Sequence, residues 1–246
     1  SDMRSRPVKR IADVRGLRAA QFIEDAGPLA HPVRPETYKE INNFYTATVY
    51  EKGAEVVRMV QTLIGPKKFR AGMDLYFERH DGEAATVEQF IRCFADASGR
   101  DMTQFMRWYS QAGTPEVTVS SRHDAKRKTY TLECRQRLAP TPGQPEKEPM
   151  VIPLVLGLVG KDGDDLPLKL ADGKIERGVL VLTEPQQTFE FANIKERPVL
   201  SINRGFSAPI KLVTDLTADD LAFLAAHDSD PFNRWQALQT SAMRLL

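Results

Sequence analysis

The sequence predicts a multidomain α + β protein, in which a helical part is followed by an antiparallel β-sandwich and then by the first helices of a second helical part. Apolar residues recur at three- and four-residue spacing from about residue 39 to residue 113, as in amphipathic helices. The pattern changes to alternation at Thr114-Pro115, and helical spacing returns near Thr217. We therefore expect domain boundaries that give residues 1–114, 115–214 and 215–246.

The first part is predicted to contain four helices separated by clear stop signals. One helix ends at Gly65-Pro66, because a proline after the closing glycine cannot continue it. Thr86 and Gln89 form the sequence pattern of a capping box, and Asp101 with Gln104 repeats that pattern. The predicted apolar faces hold Val49, Val56, Val60, Leu63 and Ile64, then Phe69, Met73, Tyr76 and Phe77, then Phe90, Ile91 and Phe94, and finally Phe105, Trp108 and Tyr109.

The middle part alternates apolar and polar residues over seven short segments, with no helical pattern between them. This arrangement is typical of an antiparallel sandwich. Turn sequences such as Lys161-Asp162-Gly163 separate the segments, and the four prolines between residues 139 and 149 predict an extended loop. The strand candidates lie at Val117–Val119, Tyr130–Cys134, Val151–Val159, Gly178–Leu182, Thr188–Phe191, Val199–Asn203 and Pro209–Val213.

Two further helices are predicted at the end of the sequence. Thr217 and Asp220 mark the start of one helix, and Asp230 followed by Pro231 marks the start of the other. Two helices with apolar stripes do not form a domain by themselves. We therefore expect them to begin a larger helical array and the sequence to be a piece of a longer protein.

Composition excludes several classes of function. Thirty-four basic and 33 acidic residues leave a net charge of +1, so we expect neither nucleic acid nor a membrane surface as a partner. The longest apolar run, Met150–Val159, is too short to cross a bilayer and is interrupted by Pro153 and Gly157. The two cysteines, Cys93 and Cys134, do not resemble a disulfide framework, and no apolar stretch follows the first charges. These features predict a cytoplasmic location.

The sequence offers no recognisable metal site. Its four histidines are His31, His80, His123 and His227, and no two of them are three or four residues apart. A helical zinc site requires two imidazoles on one face, so H-E-x-x-H cannot be built from this chain. We expect no metal to bind here.

One segment, Asn42 to Glu55, concentrates aromatic hydroxyls and amides near the start of a helix. From residue types alone, this segment is either the polar wall of a pocket or a satisfied buried network. Within it, Val49-Tyr50-Glu51-Lys52-Gly53-Ala54 closely resembles the tyrosine-bearing motif of zinc aminopeptidases related to thermolysin. Ile41–Tyr45, Tyr76–Gly82 and Arg107–Pro115 are similar to the same family, the bacterial alanyl aminopeptidases of the aminopeptidase N type.

The resemblance covers essentially the whole chain and implies an identity for each part. Residues 1–114 would be the C-terminal helical half of a thermolysin-like catalytic domain, and residues 115–214 a β-sandwich. Residues 215–246 would start an α-helical C-terminal domain, truncated here.

The resemblance also implies residue roles. Tyr50 would donate a hydrogen bond to the oxyanion of the tetrahedral intermediate, and removing such a donor costs on the order of 3 kcal/mol. Asn42 and Tyr45 would lie near the wall of the substrate pocket, although a core role for Tyr45 stays open. The cofactor would be zinc, whose ligands would lie upstream of Ser1. We therefore expect the isolated chain to bind no zinc and to be inactive, and the parent protein to act on peptides together with its remaining domains.

Two other functions stay open. The first is a non-catalytic binding module of helices and sandwich, in which the tyrosine motif is core packing. The coding sequence upstream of Ser1 distinguishes this function from an aminopeptidase. Absence of H-E-x-x-H and a later glutamate there would favour the binding module. The second is a carbohydrate-binding sandwich, which is disfavoured because the strand candidates show no exposed aromatic row.

Overall fold

The computed structural model describes residues 5–173 and 175–245. Within these residues seven α-helices and seven β-strands form. The helices are α1 (Arg6–Asp25), α2 (Gly53–Ile64), α3 (Pro66–His80), α4 (Val87–Ser98), α5 (Arg107–Ser110), α6 (Ala218–His227) and α7 (Pro231–Leu245). The strands are β1 (Glu116–Asp124), β2 (Thr129–Arg137), β3 (Ile152–Val159), β4 (Val179–Leu182), β5 (Gln186–Ala192), β6 (Val199–Ile202) and β7 (Lys211–Thr214). Short 3-10 turns lie at Ile41–Phe44, Gln104–Met106 and Arg204–Phe206, and a π-helix at Thr48–Lys52.

Helices α2, α3 and α4 form where the sequence predicts them. Gly65 separates α2 from α3 at φ 81°, in the left-handed region that favours glycine, and Pro66 begins α3. The capping box of α4 is present: the Gln89 amide donates to Thr86 Oγ1 (3.2 Å) and the Thr86 amide to Gln89 Oε1 (2.8 Å). The boundary between α2 and α3 and the cap of α4 therefore follow from the local sequence.

Two predictions for this part are wrong. Asp101 caps Thr103, whose amide and hydroxyl donate to Asp101 Oδ1 at 2.8 and 2.6 Å. The Gln104 side chain instead reaches the sandwich, where it donates to the carbonyls of Pro149 (3.1 Å) and Thr183 (2.8 Å). Phe77 was expected in a buried stripe but is 56% exposed, because α3 meets α4 through Gly72 and Phe69.

Helix α1 was not predicted from the sequence. Its buried positions are Val14, Leu17, Gln21 and Asp25, which recur at three- and four-residue spacing. Two of these four side chains are polar, so the apolar pattern that reveals an amphipathic helix is weak. This helix proves central to the candidate site.

The middle part is a sandwich of two sheets, as predicted. Strands β5-β2-β1-β7 form one sheet, and β4-β3-β6 form the other. One pairing differs from an antiparallel sandwich, since β7 runs parallel to β1 from Glu116↔Lys211 to Val119↔Thr214. The first sheet is therefore mixed, because the chain reaches β7 by a crossover from the second sheet rather than by a hairpin.

The helical part and the sandwich share one hydrophobic core. That core includes Met59 and Phe94 from the helices and Leu132 and Leu154 from the sandwich. Trp108 is fully buried between them, and its indole N–H donates to the carbonyl of Val151 at 2.7 Å. The sandwich therefore supports the helices that carry the Tyr50 segment.

Helix α6 packs beside β6, and α7 contacts both the Arg204–Phe206 turn and α1. Thr217 and Asp220 form a capping box for α6, and the Asn233 amide donates to Asp230 Oδ1 at the start of α7 (2.8 Å). The Arg204 guanidinium pairs with Asp228 at 2.9 Å and ties the helices to β6. In the described part of the chain, each helix is too short or too polar to cross a membrane.

Candidate active site

Tyr50 lies in the π-helix Thr48–Lys52, which leads directly into α2. Tyr50 is 57% exposed, whereas Thr48 and Lys52 at the two ends of the π-helix are buried. Single-turn π-helices occur frequently at functional sites. The local backbone thus presents the phenol on the outer surface while its neighbours anchor the turn.

Tyr45 lies against Tyr50. The two rings are stacked, with centroids 5.8 Å apart and an angle of 19° between their planes. Tyr45 is 67% exposed, so the core role left open by the sequence is wrong for this side chain in the chain as described. The stack forms an exposed aromatic surface with two hydroxyl groups.

Asn42 is linked to Tyr45 by a backbone hydrogen bond. It belongs to the 3-10 turn Ile41–Phe44, and its carbonyl accepts a hydrogen bond from the Tyr45 amide at 3.1 Å. The turn is shaped by Asn43, whose Oδ1 accepts from the amides of Lys39 (2.9 Å) and Glu40 (3.3 Å). The Asn42 side chain is exposed. All three predicted site residues are therefore exposed on one short segment.

The last turn of α1 holds the first end of the π-helix. The Thr48 amide donates to Glu24 Oε1 at 2.8 Å, and Gln21 Nε2 donates to Thr48 Oγ1 at 3.3 Å. Sequence reasoning missed both Gln21 and Glu24. The sequence feature that could have revealed them is the spacing of Gln21, Glu24 and Asp25, which places three polar side chains on one face of a helix.

An ion pair holds the other end. Lys52 Nζ lies 2.9 Å from Asp25 Oδ2, and each side chain is only 1% exposed. Burial alone would raise the pKa of Asp25, but the charge of Lys52 and hydrogen bonds from Lys52, Gln21 and Thr114 outweigh it and lower that pKa. Asp25 is therefore ionised at neutral pH.

The residues present do not fit a zinc ion. Glu24 Oε1 and His31 Nε2 lie 3.7 Å apart, but no group of three His, Cys, Asp or Glu side chains suited to a metal forms within residues 5–173 and 175–245. A catalytic zinc site requires three protein ligands. The segment itself presents exposed phenol and amide groups.

Comparison with known families divides the chain into three consecutive matches. Residues 9–109 match the peptidase family M1 domain. Residues 113–215 match a domain of unknown function with an Ig-like fold (DUF3458), and residues 218–246 match a domain of unknown function built of ARM repeats (DUF3458_C). Tyr50 thus lies in the part of the chain that matches the family M1 domain.

Individual relatives cover the whole chain. Aminopeptidase N of Escherichia coli (strain K12) is 48% identical over 240 residues, which are 98% of this chain and 28% of that protein. Aminopeptidase N of Caulobacter vibrioides is 53% identical over 248 residues, which are 100% of this chain and 28% of that protein. The chain is a relative of bacterial aminopeptidase N, and it spans 28% of the length of these two proteins.

A solved structure supports the same assignment of the fold. The crystal structure of Legionella pneumophila aminopeptidase A in complex with aspartic acid matches with a TM-score of 0.76 at 28% sequence identity. The match covers 93% of this chain and 26% of the Legionella chain. The family and the fold class predicted from the sequence are therefore confirmed.

Proposed function

We propose that this chain is part of a zinc-dependent aminopeptidase that removes N-terminal residues from peptides in the cytoplasm. The observation that carries the proposal is the 48–53% identity to aminopeptidase N across nearly the whole chain. In this proposal, residues 1–114 are half of the catalytic domain, residues 115–214 the sandwich, and residues 215–246 the start of a helical domain.

The zinc ligands lie elsewhere in the parent polypeptide in this proposal, since the described residues offer no suitable group. The isolated chain is then inactive and depends on the remaining domains of the same protein. The test compares the full-length protein with this chain, using an alanyl anilide as substrate and measuring bound zinc. We expect chelator-sensitive hydrolysis by the full-length protein only. Chelator-sensitive hydrolysis by the pure chain would contradict the proposal.

Tyr50 is the residue of this chain to which we assign a catalytic role. Its phenol O–H donates a hydrogen bond to the oxyanion that develops when the scissile carbonyl becomes tetrahedral. A phenol suits this role because it is a neutral donor that gains most when negative charge develops in the transition state. The support is its exposure of 57% on a turn whose two ends are buried.

Tyr45 and Asn42 form part of the wall of the substrate pocket in the same proposal. Tyr45 stacks on Tyr50 and offers an aromatic face to the first side chain of the peptide. For Tyr45→Ala in the full-length protein we expect a higher KM with a smaller change in kcat, because binding is weakened more than the chemical step. A large fall in kcat at constant KM would assign Tyr45 to the transition state instead.

A further inference from the structure

The π-helix that carries Tyr50 is held at both ends by polar side chains from a single turn of α1. Gln21 and Glu24 bind Thr48, while Asp25 binds Lys52. Tyr50 lies between these two anchors and faces outward. Its position relative to α1 is thus set by directional contacts as well as by apolar packing.

The Lys52–Asp25 ion pair also reaches the junction between the helical part and the sandwich. Lys52 Nζ donates to the carbonyl of Gly113 at 2.8 Å. Asp25 accepts hydrogen bonds from the Gly113 amide (3.3 Å) and from Thr114 Oγ1 (2.8 Å). Gly113 adopts φ 96°, where a side chain would be strained, just before β1 begins. We call Asp25, Lys52, Gly113 and Thr114 the junction clamp.

A buried charged pair is weak evidence for a stabilising role at this place. The desolvation cost of two buried charges can exceed the gain from their attraction, and apolar replacements of similar volume are often as stable. A charged pair with further hydrogen bonds supplies instead one defined geometry, because each donor must meet its acceptor. In the junction clamp, the contacts of Lys52 hold the end of the π-helix, and the contacts of Asp25 with Gly113 and Thr114 hold the neighbouring segment that leads into β1.

We infer that Lys52 and Asp25 are positioning residues for Tyr50: the junction clamp sets the π-helix so that the phenol meets the developing oxyanion. This inference rests on the proposed role of Tyr50. Neither clamp side chain reaches the substrate in this account, since both are buried, and each acts through the phenol. A displacement of about 1 Å at a reacting group can cost about a hundredfold in rate.

The test uses the full-length protein that contains this chain, with Lys52→Met made both in the parent sequence and in a Tyr50→Phe background. In the parent background we expect kcat for an alanyl anilide to fall about tenfold or more while KM is unchanged. In the Tyr50→Phe background we expect no further fall, because the group being positioned is absent. An equal fall in both backgrounds, or an unchanged kcat, would overturn the inference.

Two companion variants separate positioning from folding. Lys147→Met removes a lysine at the same junction, which donates to the Ala112 carbonyl (2.9 Å) and to side chains of the neighbouring loop, and we expect kcat to be retained. Lys52→Arg keeps a charge opposite Asp25, so we expect it to recover part of the kcat lost in Lys52→Met. A loss of kcat in Lys147→Met as large as that in Lys52→Met would show a general effect of the junction.

A milder variant covers the case in which Lys52→Met does not fold. Thr114→Val removes one hydrogen bond to Asp25 and leaves the ion pair in place. We expect a smaller fall in kcat that again vanishes in the Tyr50→Phe background, and additive effects would overturn the inference. The Tyr50→Phe arm on its own reports on the proposed function: if that substitution leaves kcat unchanged, the role of Tyr50 fails independently of the clamp.

Discussion

Lys147 combines partial burial with a position beside the junction clamp. Its ammonium group donates to the Ala112 carbonyl, Thr141 Oγ1 and Gln144 Oε1. Burial and the nearby charge of Lys52 lower the pKa of Lys147 from 10.5 to about 8, although Asp25 opposes the shift. The folded protein therefore releases this proton at a lower pH than the unfolded chain does.

The first prediction concerns the stability that follows from this shift. Between about pH 8 and pH 10.5 the unfolded chain binds more protons at Lys147 than the folded protein, so this residue makes stability rise with pH. We expect Lys147→Met to flatten the rise in the free energy of unfolding over that window, measured by urea unfolding at a series of pH values. Lys161→Met is the control, because Lys161 is exposed and its pKa is raised by Glu196. A rise of unchanged slope in Lys147→Met would contradict the prediction.

At the residue scale, the sequence resemblance points to Tyr50 but not to the α1 side chains that hold the π-helix around it. Lys52 lies within the motif, yet its buried partner Asp25 is 27 residues away. Such a pairing depends on where α1 packs, which local spacing does not encode. The roles assigned to Tyr50, Tyr45 and Asn42 stay predictions, and their exposure on one segment is the structural support for them.

Among the helices, α3 and α4 show how closely two elements can approach. A Cβ atom at Gly72 of α3 would lie 2.9 Å from Cε1 of the fully buried Phe94 in α4, and closer still to its Cδ1. At Gly16 of α1 a Cβ atom would meet no other atom within 4 Å. The same substitution is thus expected to act in opposite directions at these two helical glycines.

The second prediction compares Gly72→Ala with Gly16→Ala. Overlap with Phe94 should cost about 1–3 kcal/mol, which exceeds the gain of at most about 1 kcal/mol in helix propensity. Gly16→Ala should instead stabilise the protein by about 0.5–1 kcal/mol, because only the propensity term acts. Urea unfolding of both variants provides the measurement. Stabilisation of Gly72→Ala by the same amount would show that α3 and α4 separate freely.

Predictability differs among the elements for physical reasons. Helices α2, α4, α6 and α7 could be predicted because caps, prolines and glycines mark their ends locally. Helix α1 could not, because Gln21 and Asp25 occupy positions on its buried face where apolar residues would reveal it. The parallel pairing of β1 with β7 was also missed, since strand direction in a sheet is set by the long-range path of the chain.

For the whole molecule, the shared core leads us to expect that the helical part and the sandwich unfold as one cooperative unit. Trp108 joins them through its buried ring and its hydrogen bond to Val151. Loss of that bond would leave a buried carbonyl unpaired. Separate unfolding of either part would expose the core of the other.

The third prediction is therefore that Trp108→Phe lowers the free energy of unfolding by about 1–3 kcal/mol and leaves a single transition for these two parts. Hydrogen exchange would report on α2 and on β3 at the same time. We expect amides in both elements to lose protection together. Early loss of protection in one element alone would contradict a common core.

The central claim is that Tyr50 stabilises the transition state of peptide hydrolysis in the parent enzyme, and Tyr50→Phe in the full-length protein tests it most directly. We predict that kcat for an alanyl anilide falls about a hundredfold or more, while KM and zinc content are unchanged. Tyr38→Phe is the matched control, because Tyr38 is also an exposed tyrosine, and its ring packs on Phe44 and is not part of the Tyr45–Tyr50 stack. If kcat, KM and zinc content are all unchanged in Tyr50→Phe, the catalytic assignment is contradicted.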